Sequence, residues 1–160
     1  MARTRRELLG GARGDEAILR RLLELQARAG IVYGAALAER RVDGRVASLA
    51  RTFDRQDGEH FEGLRRALQG YGGHEGVYGG RGDVPGLRTA LDGGNRGFAA
   101  FALRLEARSV RACYEAVAAI RNEKLLPGVG AIMANEAQHL ALWRELLGRE
   151  PVPEALETGA

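Results

Sequence analysis

Cysteine and aromatic residues are scarce in this chain of 160 residues. The single cysteine, Cys113, excludes an internal disulfide, so no covalent cross-link within the chain stabilises the fold. Aromatic residues form 6% of the sequence while 45% of it is hydrophobic, so the core must consist mainly of alanine, leucine and valine. Side chains of this size favour helices that pack at short interaxial distances.

Long apolar runs are also absent. A helix that spans a membrane needs roughly 18 consecutive apolar residues, and no stretch approaches that length, so we predict no membrane span. Thr4-Arg5-Arg6 matches the start of a twin-arginine export signal, but the stretch 10–15 that follows is glycine-rich instead of apolar. The sequence therefore predicts a cytoplasmic protein.

A strong excess of one charge is missing as well. The net charge is only +3, and arginine alternates with glutamate and aspartate in every segment. Proteins that bind nucleic acid concentrate their basic residues on one face or along one helix. We therefore interpret the charges as a solvated surface and expect no nucleic-acid partner.

Apolar residues recur at helical spacing in four long segments. We predict helices over residues 15–40, 44–69, 96–121 and 127–147, with Asp15 as the N-cap of the first. The predicted domain organisation is a flexible basic tail over 1–14, a helical bundle over 15–150 and an extended tail over 151–160. No segment has the alternation typical of a strand.

Eight glycines and Pro85 fall between residues 70 and 86, so this segment cannot be a helix interior. We interpret it as a long connection, with a short turn of helix near residues 85–91. The links between the first two helices and between the last two are short. The predicted fold is therefore all-α: an antiparallel four-helix bundle with a long crossover between helices two and three.

The chain contains a near-repeat. Residues 25–28, Leu-Gln-Ala-Arg, are echoed 80 positions later by Leu-Glu-Ala-Arg. Residues 57–60, Asp-Gly-Glu-His, are echoed 79 positions later by Glu-Ala-Gln-His. Each half thus carries one amide or acid on its first helix and an acid-x-x-His on its second.

Helical spacing indicates which of these polar side chains face the core. The inward set comprises Gln26, Asp57, His60, Glu106, Glu136 and His139, because each shares a stripe with apolar residues. Glu24 and Glu59 fall on rows of charged residues and are predicted to face water. A buried charge needs a partner, which can be a metal ion or another side chain.

These residues carry a resemblance to a known family. Residues 132–139, Ile-Met-Ala-Asn-Glu-Ala-Gln-His, together with 147–153, Asp-x-x-His at 57–60, Leu-Gln-x6-Tyr at 25–33 and Glu-x7-Tyr at 106–114, are the matching motifs. Over roughly residues 15–155 the chain resembles the ferritin-like superfamily, in particular small bacterial ferritin-like domains of the rubrerythrin group.

The resemblance implies a di-iron or di-manganese carboxylate site in the bundle core. The implied ligands are Gln26, Asp57, His60, Glu106, Glu136 and His139. The implied chemistry is that of a ferroxidase or another metal-dependent oxidoreductase, which oxidises ferrous iron or reduces oxygen or peroxide.

Two positions depart from the family pattern. Gln26 stands where the family has glutamate, and Asp57 stands where glutamate is usual in the second helix. Aspartate is one methylene shorter, and glutamine is a neutral and poor bridging ligand. Three carboxylates remain, so we expect weaker binding, one ion instead of two, or none; a single ion is expected against Glu136 and His139.

Other interpretations stay open. In one, buried acid–imidazole hydrogen bonds close the core of a metal-free bundle that serves as a structural or interaction module. In another, a degenerate site forms a pocket for a small ligand.

Tyr33 and Tyr114 are candidate hydrogen-bond donors or radical-forming residues, Cys113 and Trp143 are predicted to be core residues, and His74 is predicted to be a solvated loop residue. A homodimer is the expected assembly.

Overall fold

The computed structural model describes residues 5–73 and 84–159, with side chains from residue 14 onward. The described residues form five α-helices and a 3-10 turn. Their bounds are α1 Arg5–Ala38, α2 Gly44–Gln69, α3 Leu87–Asp92, α4 Gly94–Ala119, the 3-10 turn Glu123–Leu125 and α5 Leu126–Leu146. No strand occurs in the described ranges, so the predicted all-α class is confirmed.

Most predicted helices agree with the observed ones. The bounds of α2 are those predicted, and α4 and α5 differ from the prediction by one or two residues at each end. The short helix expected near residues 85–91 is α3. Residues 74–83 of the predicted glycine-rich connection, including His74, lie outside the described residues.

The first helix differs from the prediction at both ends. It begins at Arg5, so residues 5–14, predicted as a tail, are helical, and it ends at Ala38 instead of residue 40. A glycine within a helix costs only about 1 kcal/mol relative to alanine, so glycines 10, 11 and 14 do not stop a helix that propagates from a long stable segment. Asp15 consequently lies inside α1 and is not its N-cap.

The four long helices pack as two pairs. The short links predicted between helices one and two and between helices three and four make α1–α2 and α4–α5 antiparallel hairpins, and the two hairpins meet through α1 with α4 and α2 with α5. Arg40, with φ of 52°, takes the left-handed conformation that commonly ends a helix and turns the chain toward α2.

The buried apolar side chains form two clusters, one toward each end of the bundle. The first cluster contains Val32, Phe53, Phe98 and Trp143 among others, and the second contains Leu19, Leu68, Cys113 and Ile132 among others. Between them, near the middle of each long helix, the inward side chains are polar. This arrangement places a polar layer at the centre of the bundle.

The C-terminal segment folds back on the helices. Arg144 of α5 forms an ion pair with Glu157, and the backbone N–H of Gly159 donates a hydrogen bond to the Glu157 carboxylate. Gly159 is buried against the α4 backbone near Ala107 and Arg111. The segment predicted as an extended tail is therefore non-helical but docked, as far as it is described.

Among the described helices, none combines the length and the apolarity that crossing a bilayer requires.

Candidate metal centre

The central polar layer is built from the six side chains that the sequence placed inward. They are Gln26 on α1, Asp57 and His60 on α2, Glu106 on α4, and Glu136 and His139 on α5. Five of them are at most 3% exposed, and the His60 side chain is 15% exposed. The structure therefore brings all six predicted ligands together, and His60 is the member nearest to solvent.

Three carboxyl groups surround the imidazole of His139. Its Nδ1 lies 3.5 Å from Oε2 of Glu136, 3.7 Å from Oε1 of Glu106 and 3.8 Å from Oδ1 of Asp57. These separations are too long for hydrogen bonds. They are short enough for one small cation to reach several of the atoms at once.

His60 occupies a similar position on the other side of the layer. Its Nδ1 lies 3.3 Å from Oε1 of Glu136 and 3.8 Å from Oδ1 of Asp57. Glu136 therefore contacts both histidines, through different carboxylate oxygens.

The donor atoms fall into two groups of three. One group is Asp57, Glu106 and His139, the other is Asp57, His60 and Glu136, and within each group the ligand atoms lie within 4.8 Å of one another. Asp57 is common to both. The aspartate side chain, although one methylene shorter than glutamate, thus reaches a position that both groups share. Each group also mixes residues from the two halves of the chain.

Each of the six residues retains a buried polar atom with no hydrogen-bond partner among the described residues. These atoms are Oε1 of Gln26, both carboxyl oxygens of Asp57, Nδ1 of His60, Oε2 of Glu106, Oε2 of Glu136 and Nδ1 of His139. Leaving a buried polar atom unpaired costs about 1–3 kcal/mol, so such a concentration of them needs an explanation. Oxygen and imidazole nitrogen atoms directed at one space are the donors that a divalent transition metal takes.

Gln26 takes part in the layer as a donor. Its Nε2 donates a hydrogen bond of 2.7 Å to Oε1 of Glu136 across the α1–α5 interface. An amide nitrogen cannot ligate a metal, so only Oε1 of Gln26 is available as a weak ligand.

A hydrogen-bond chain supports Glu106 from the first apolar cluster. The hydroxyl of Tyr33 donates to Oε1 of Glu106, and Nε1 of Trp143 donates to the Tyr33 hydroxyl at 3.1 Å. Both rings are fully buried, and they stack on each other. Trp143, predicted as a packing residue, thus also orients the tyrosine that holds Glu106.

The ring of His139 is fixed by two residues of α2. Phe53 stacks on it with ring centroids 3.8 Å apart and an interplanar angle of 20°. On the ring's outer edge, Nε2 lies 2.8 Å from Oε1 of Gln56. Gln56 was not among the predicted site residues. Its position, three residues after Phe53 and four before His60, places it on the same face of α2 as these two inward residues.

Burial and neighbouring groups shift the pKa values of the three carboxyl groups of the layer in different directions. Burial raises the pKa of Asp57 to about 10, and the Glu136 and Glu106 carboxyls act in the same direction. Burial and then Glu136 raise the pKa of Glu106 well above its usual range. Burial opposes ionisation of Glu136 too, but contacts with His139 and His60 outweigh it and hold its pKa below the ordinary value. A bound cation would favour the ionised form of all three.

Other candidates lie away from this layer. Tyr114 is 52% exposed and thus lies at the surface, whereas Cys113 is buried in the second apolar cluster as predicted. Glu59 is exposed and pairs with Arg55, also as predicted. A cavity of about 360 Å³ lies outside the layer, on the α1–α4 side, where Arg28, Phe101, Arg104 and Arg108 contribute to its wall together with Leu105 and residues 84–86.

Comparison with known proteins agrees with the all-α fold. The ferritin-like domain model matches residues 14–149. Among solved structures, the fold is similar to that of a conserved hypothetical protein from Mycobacterium tuberculosis, with a TM-score of 0.69 and 17% identity over 89% of this chain and 96% of that chain. At this identity the likeness concerns the fold alone. A comparison with curated proteins found no match. Because the domain model spans most of the sequence, the chain belongs to the ferritin-like domain family.

Proposed function

We propose that this protein binds a divalent transition metal in the central polar layer. The observation that carries the proposal is the set of unpaired buried atoms, one or more from each of the six inward residues, which converge between four helices. Within the described part of the chain, no hydrogen bond satisfies these atoms. A cation would satisfy most of them at once.

The donor set favours iron or manganese. Carboxylate oxygens and imidazole nitrogens in a mixed set suit both metals, and neither of the two donor groups contains a cysteine. Glu106 and His139 would hold one ion, His60 and Glu136 would hold another, and Asp57 would contribute to both. Gln26 would orient Glu136.

Bound iron would supply redox chemistry toward oxygen or peroxide, as the resemblance to the rubrerythrin group implies. The residues of this chain would exclude water from the ion, because all but His60 are almost fully buried. His60, whose side chain is 15% exposed, would be the ligand nearest to solvent.

Metal analysis of the purified protein tests the proposal. We expect protein from iron- or manganese-supplemented growth to contain one or two ions per chain, and the metal-free protein to melt at a higher temperature when Fe²⁺ or Mn²⁺ is added anaerobically. At a metal concentration 100 times Kd, the stabilisation would be about 2.7 kcal/mol.

A pair of matched variants distinguishes metal binding at the central layer from metal binding at the protein surface. Asp57→Asn keeps the shape of the side chain and should weaken metal binding about tenfold or more, because it removes the shared carboxylate. Glu59→Gln, two residues away on the exposed face of the same helix, should bind metal like the wild type. Absence of metal from the purified protein, together with an unchanged melting temperature on adding either ion, would reject the proposal.

A metal-free structural or interaction module is the alternative. It is favoured by the hydrogen bonds that already serve Glu136, from Gln26, and Glu106, from Tyr33. Under this alternative, His139→Ala destabilises the fold, and metal changes neither the wild type nor the variant. Under the metal proposal, the same substitution also removes the stabilisation by metal.

Two further expectations stay predictions. The exposed apolar residues Tyr114 and Val117 on α4 support a homodimer, which light scattering of the purified protein and of a Tyr114→Glu variant would test. A cytoplasmic location would be tested by cell fractionation.

A further inference from the structure

Gln56 lies on α2, one residue before Asp57, and is half-buried. Its Oε1 lies 2.8 Å from Nε2 of His139, at the edge of the ring that faces away from the carboxyl groups. An amide oxygen carries no proton, so this contact is a hydrogen bond only when Nε2 of His139 is protonated.

The opposite nitrogen of the same ring faces the carboxyl groups of the layer. Nδ1 of His139 is buried without a hydrogen bond among the described residues, and the surrounding carboxyl oxygens lie 3.5–3.8 Å away. The ring is 1% exposed and stacks on Phe53, so it has little room to turn over.

The two neutral tautomers of the His139 ring therefore differ in the contacts that they make. With the proton on Nε2, the ring donates to Gln56 and directs the lone pair of Nδ1 at Asp57, Glu106 and Glu136. With the proton on Nδ1, two acceptors face each other at 2.8 Å on the outer edge, and a proton occupies the position where a cation would sit.

We propose that Gln56 is a positioning residue that holds His139 in the tautomer protonated on Nε2, so that Nδ1 is free to ligate a metal. The tautomer itself is a property of the metal-free protein, while its consequence for affinity rests on the proposed function. An outer partner of a ligating histidine commonly fixes the ring in this way.

The tautomer is tested first, without metal. Two-dimensional nitrogen NMR of the metal-free protein distinguishes rings protonated on Nε2, on Nδ1 or on both nitrogens. We expect the Nε2 form for His139 in the wild type, loss of that single form in Gln56→Leu, and a ring that again carries a proton on Nε2 in Gln56→Glu, which restores an acceptor. Gln138→Leu, on the exposed face of α5, is the control and should match the wild type.

Metal affinity is the second readout. Gln56→Leu should weaken Fe²⁺ or Mn²⁺ binding about 10- to 100-fold. Gln56→Glu should stay within a few-fold of the wild type, and Gln138→Leu should be unchanged. Circular dichroism confirms that each variant is folded, and Gln56→Met replaces Gln56→Leu if the latter is not.

The outcomes separate the two proposals. A wild-type His139 protonated on Nδ1 or on both nitrogens, or a Gln56→Leu ring indistinguishable from the wild type, would overturn the role of Gln56. If the ring behaves as expected and the wild type binds neither metal, the proposed function fails while the positioning of His139 by Gln56 stands.

Discussion

At the scale of single residues, Gln26 sets how much negative charge the central layer contains. Glutamate at this position would place a fourth carboxyl group among three that already shift each other's pKa. The amide instead donates a hydrogen bond to Glu136. Glutamine at this position therefore destabilises the metal-free fold less than glutamate would, but it provides a weaker metal ligand.

The variant Gln26→Glu tests this balance. We expect the metal-free variant to melt at a lower temperature than the wild type, because it loses the donor to Glu136 and gains a buried acid. Added Mn²⁺ or Fe²⁺ should raise its melting temperature by more than it raises that of the wild type. Gln69→Glu, at the exposed end of α2, should show neither effect; a Gln26→Glu variant that metal stabilises less than the wild type would contradict the expectation.

A pH dependence follows from Asp57. Its pKa rises from 3.8 to about 10 in the folded state, so the folded protein holds a proton that the unfolded chain releases. Without metal, the contribution of Asp57 to the free energy of unfolding should therefore be fully present below about pH 4 and fall as pH rises from about 5 to 9, by at most about 1.4 kcal/mol per pH unit.

Denaturant unfolding at several pH values, with a chelator present, measures this slope. Asp57→Asn removes one titrating group and should flatten it, whereas Glu59→Gln should leave it unchanged. Glu136 is ionised in both states over this range and adds nothing to the slope. Stability that increases from pH 6 to pH 9 would show that Asp57 is not protonated in the fold.

At the scale of the elements, Asp15 joins segments that are distant in sequence. Its carboxylate accepts hydrogen bonds from the backbone N–H groups of Arg121 and Asn122, at 2.9 and 3.0 Å, and from the Tyr71 hydroxyl at 3.3 Å. The residue predicted to cap α1 therefore satisfies backbone donors in the link between α4 and α5.

Replacing Asp15 with alanine should destabilise the fold by about 1–3 kcal/mol, because two backbone donors lose their acceptor in a partly buried place. Urea denaturation measures the change. Glu24→Ala, which removes an exposed ion pair with Arg28, should cost no more than about 0.5 kcal/mol. Equal effects of the two substitutions would show that the Asp15 contacts contribute little.

The sequence predicts the helices well where apolar spacing and breakers agree, as at Gly44 and Gly70 around α2. The prediction is wrong at the start of α1 for two reasons. A glycine weakens a helix without ending it, and an aspartate can accept hydrogen bonds from backbone N–H groups of a distant segment as well as from those of its own helix. Neither ambiguity can be resolved from local pattern alone.

The sequence also predicts part of the candidate site, namely which residues face inward. The spacing along each helix identified the six inward residues, since it depends only on helical geometry. Contacts across helices, such as Tyr33 with Glu106 or Gln56 with His139, depend on how the helices are rotated and shifted against each other. Which residues group around Asp57 depends on the same packing. The sequence predicts a single ion against Glu136 and His139, and in the structure these two residues belong to different donor groups.

At the scale of the whole molecule, the polar layer divides the hydrophobic core. The two apolar clusters contain residues from the four long helices on either side of it, and the partly buried Met133 contacts both. Loss of order in the layer would therefore weaken the contact between the two ends of the bundle as well as the candidate site.

The docked C-terminal segment gives a test at this scale. Gly159, with φ of 73°, lies so close to the α4 backbone that a side chain there would collide with Ala107 and Arg111. Gly159→Val should release the segment, which carboxypeptidase digestion followed by mass spectrometry would detect. Gly130→Ala, in α5 with open space at the Cβ position, should leave digestion unchanged; equal resistance of Gly159→Val and the wild type would mean that the segment docks without this contact.

One carboxylate shared by two donor groups has a consequence for how ions fill them. Because Asp57 belongs to both, an ion in the first group alters the charge and position of a ligand of the second. Occupation of the two positions is then a coupled equilibrium, and the coupling free energy is the same whichever position fills first. Binding isotherms of the protein should depart from those of two independent sites, and Asp57→Asn should remove the departure along with the affinity.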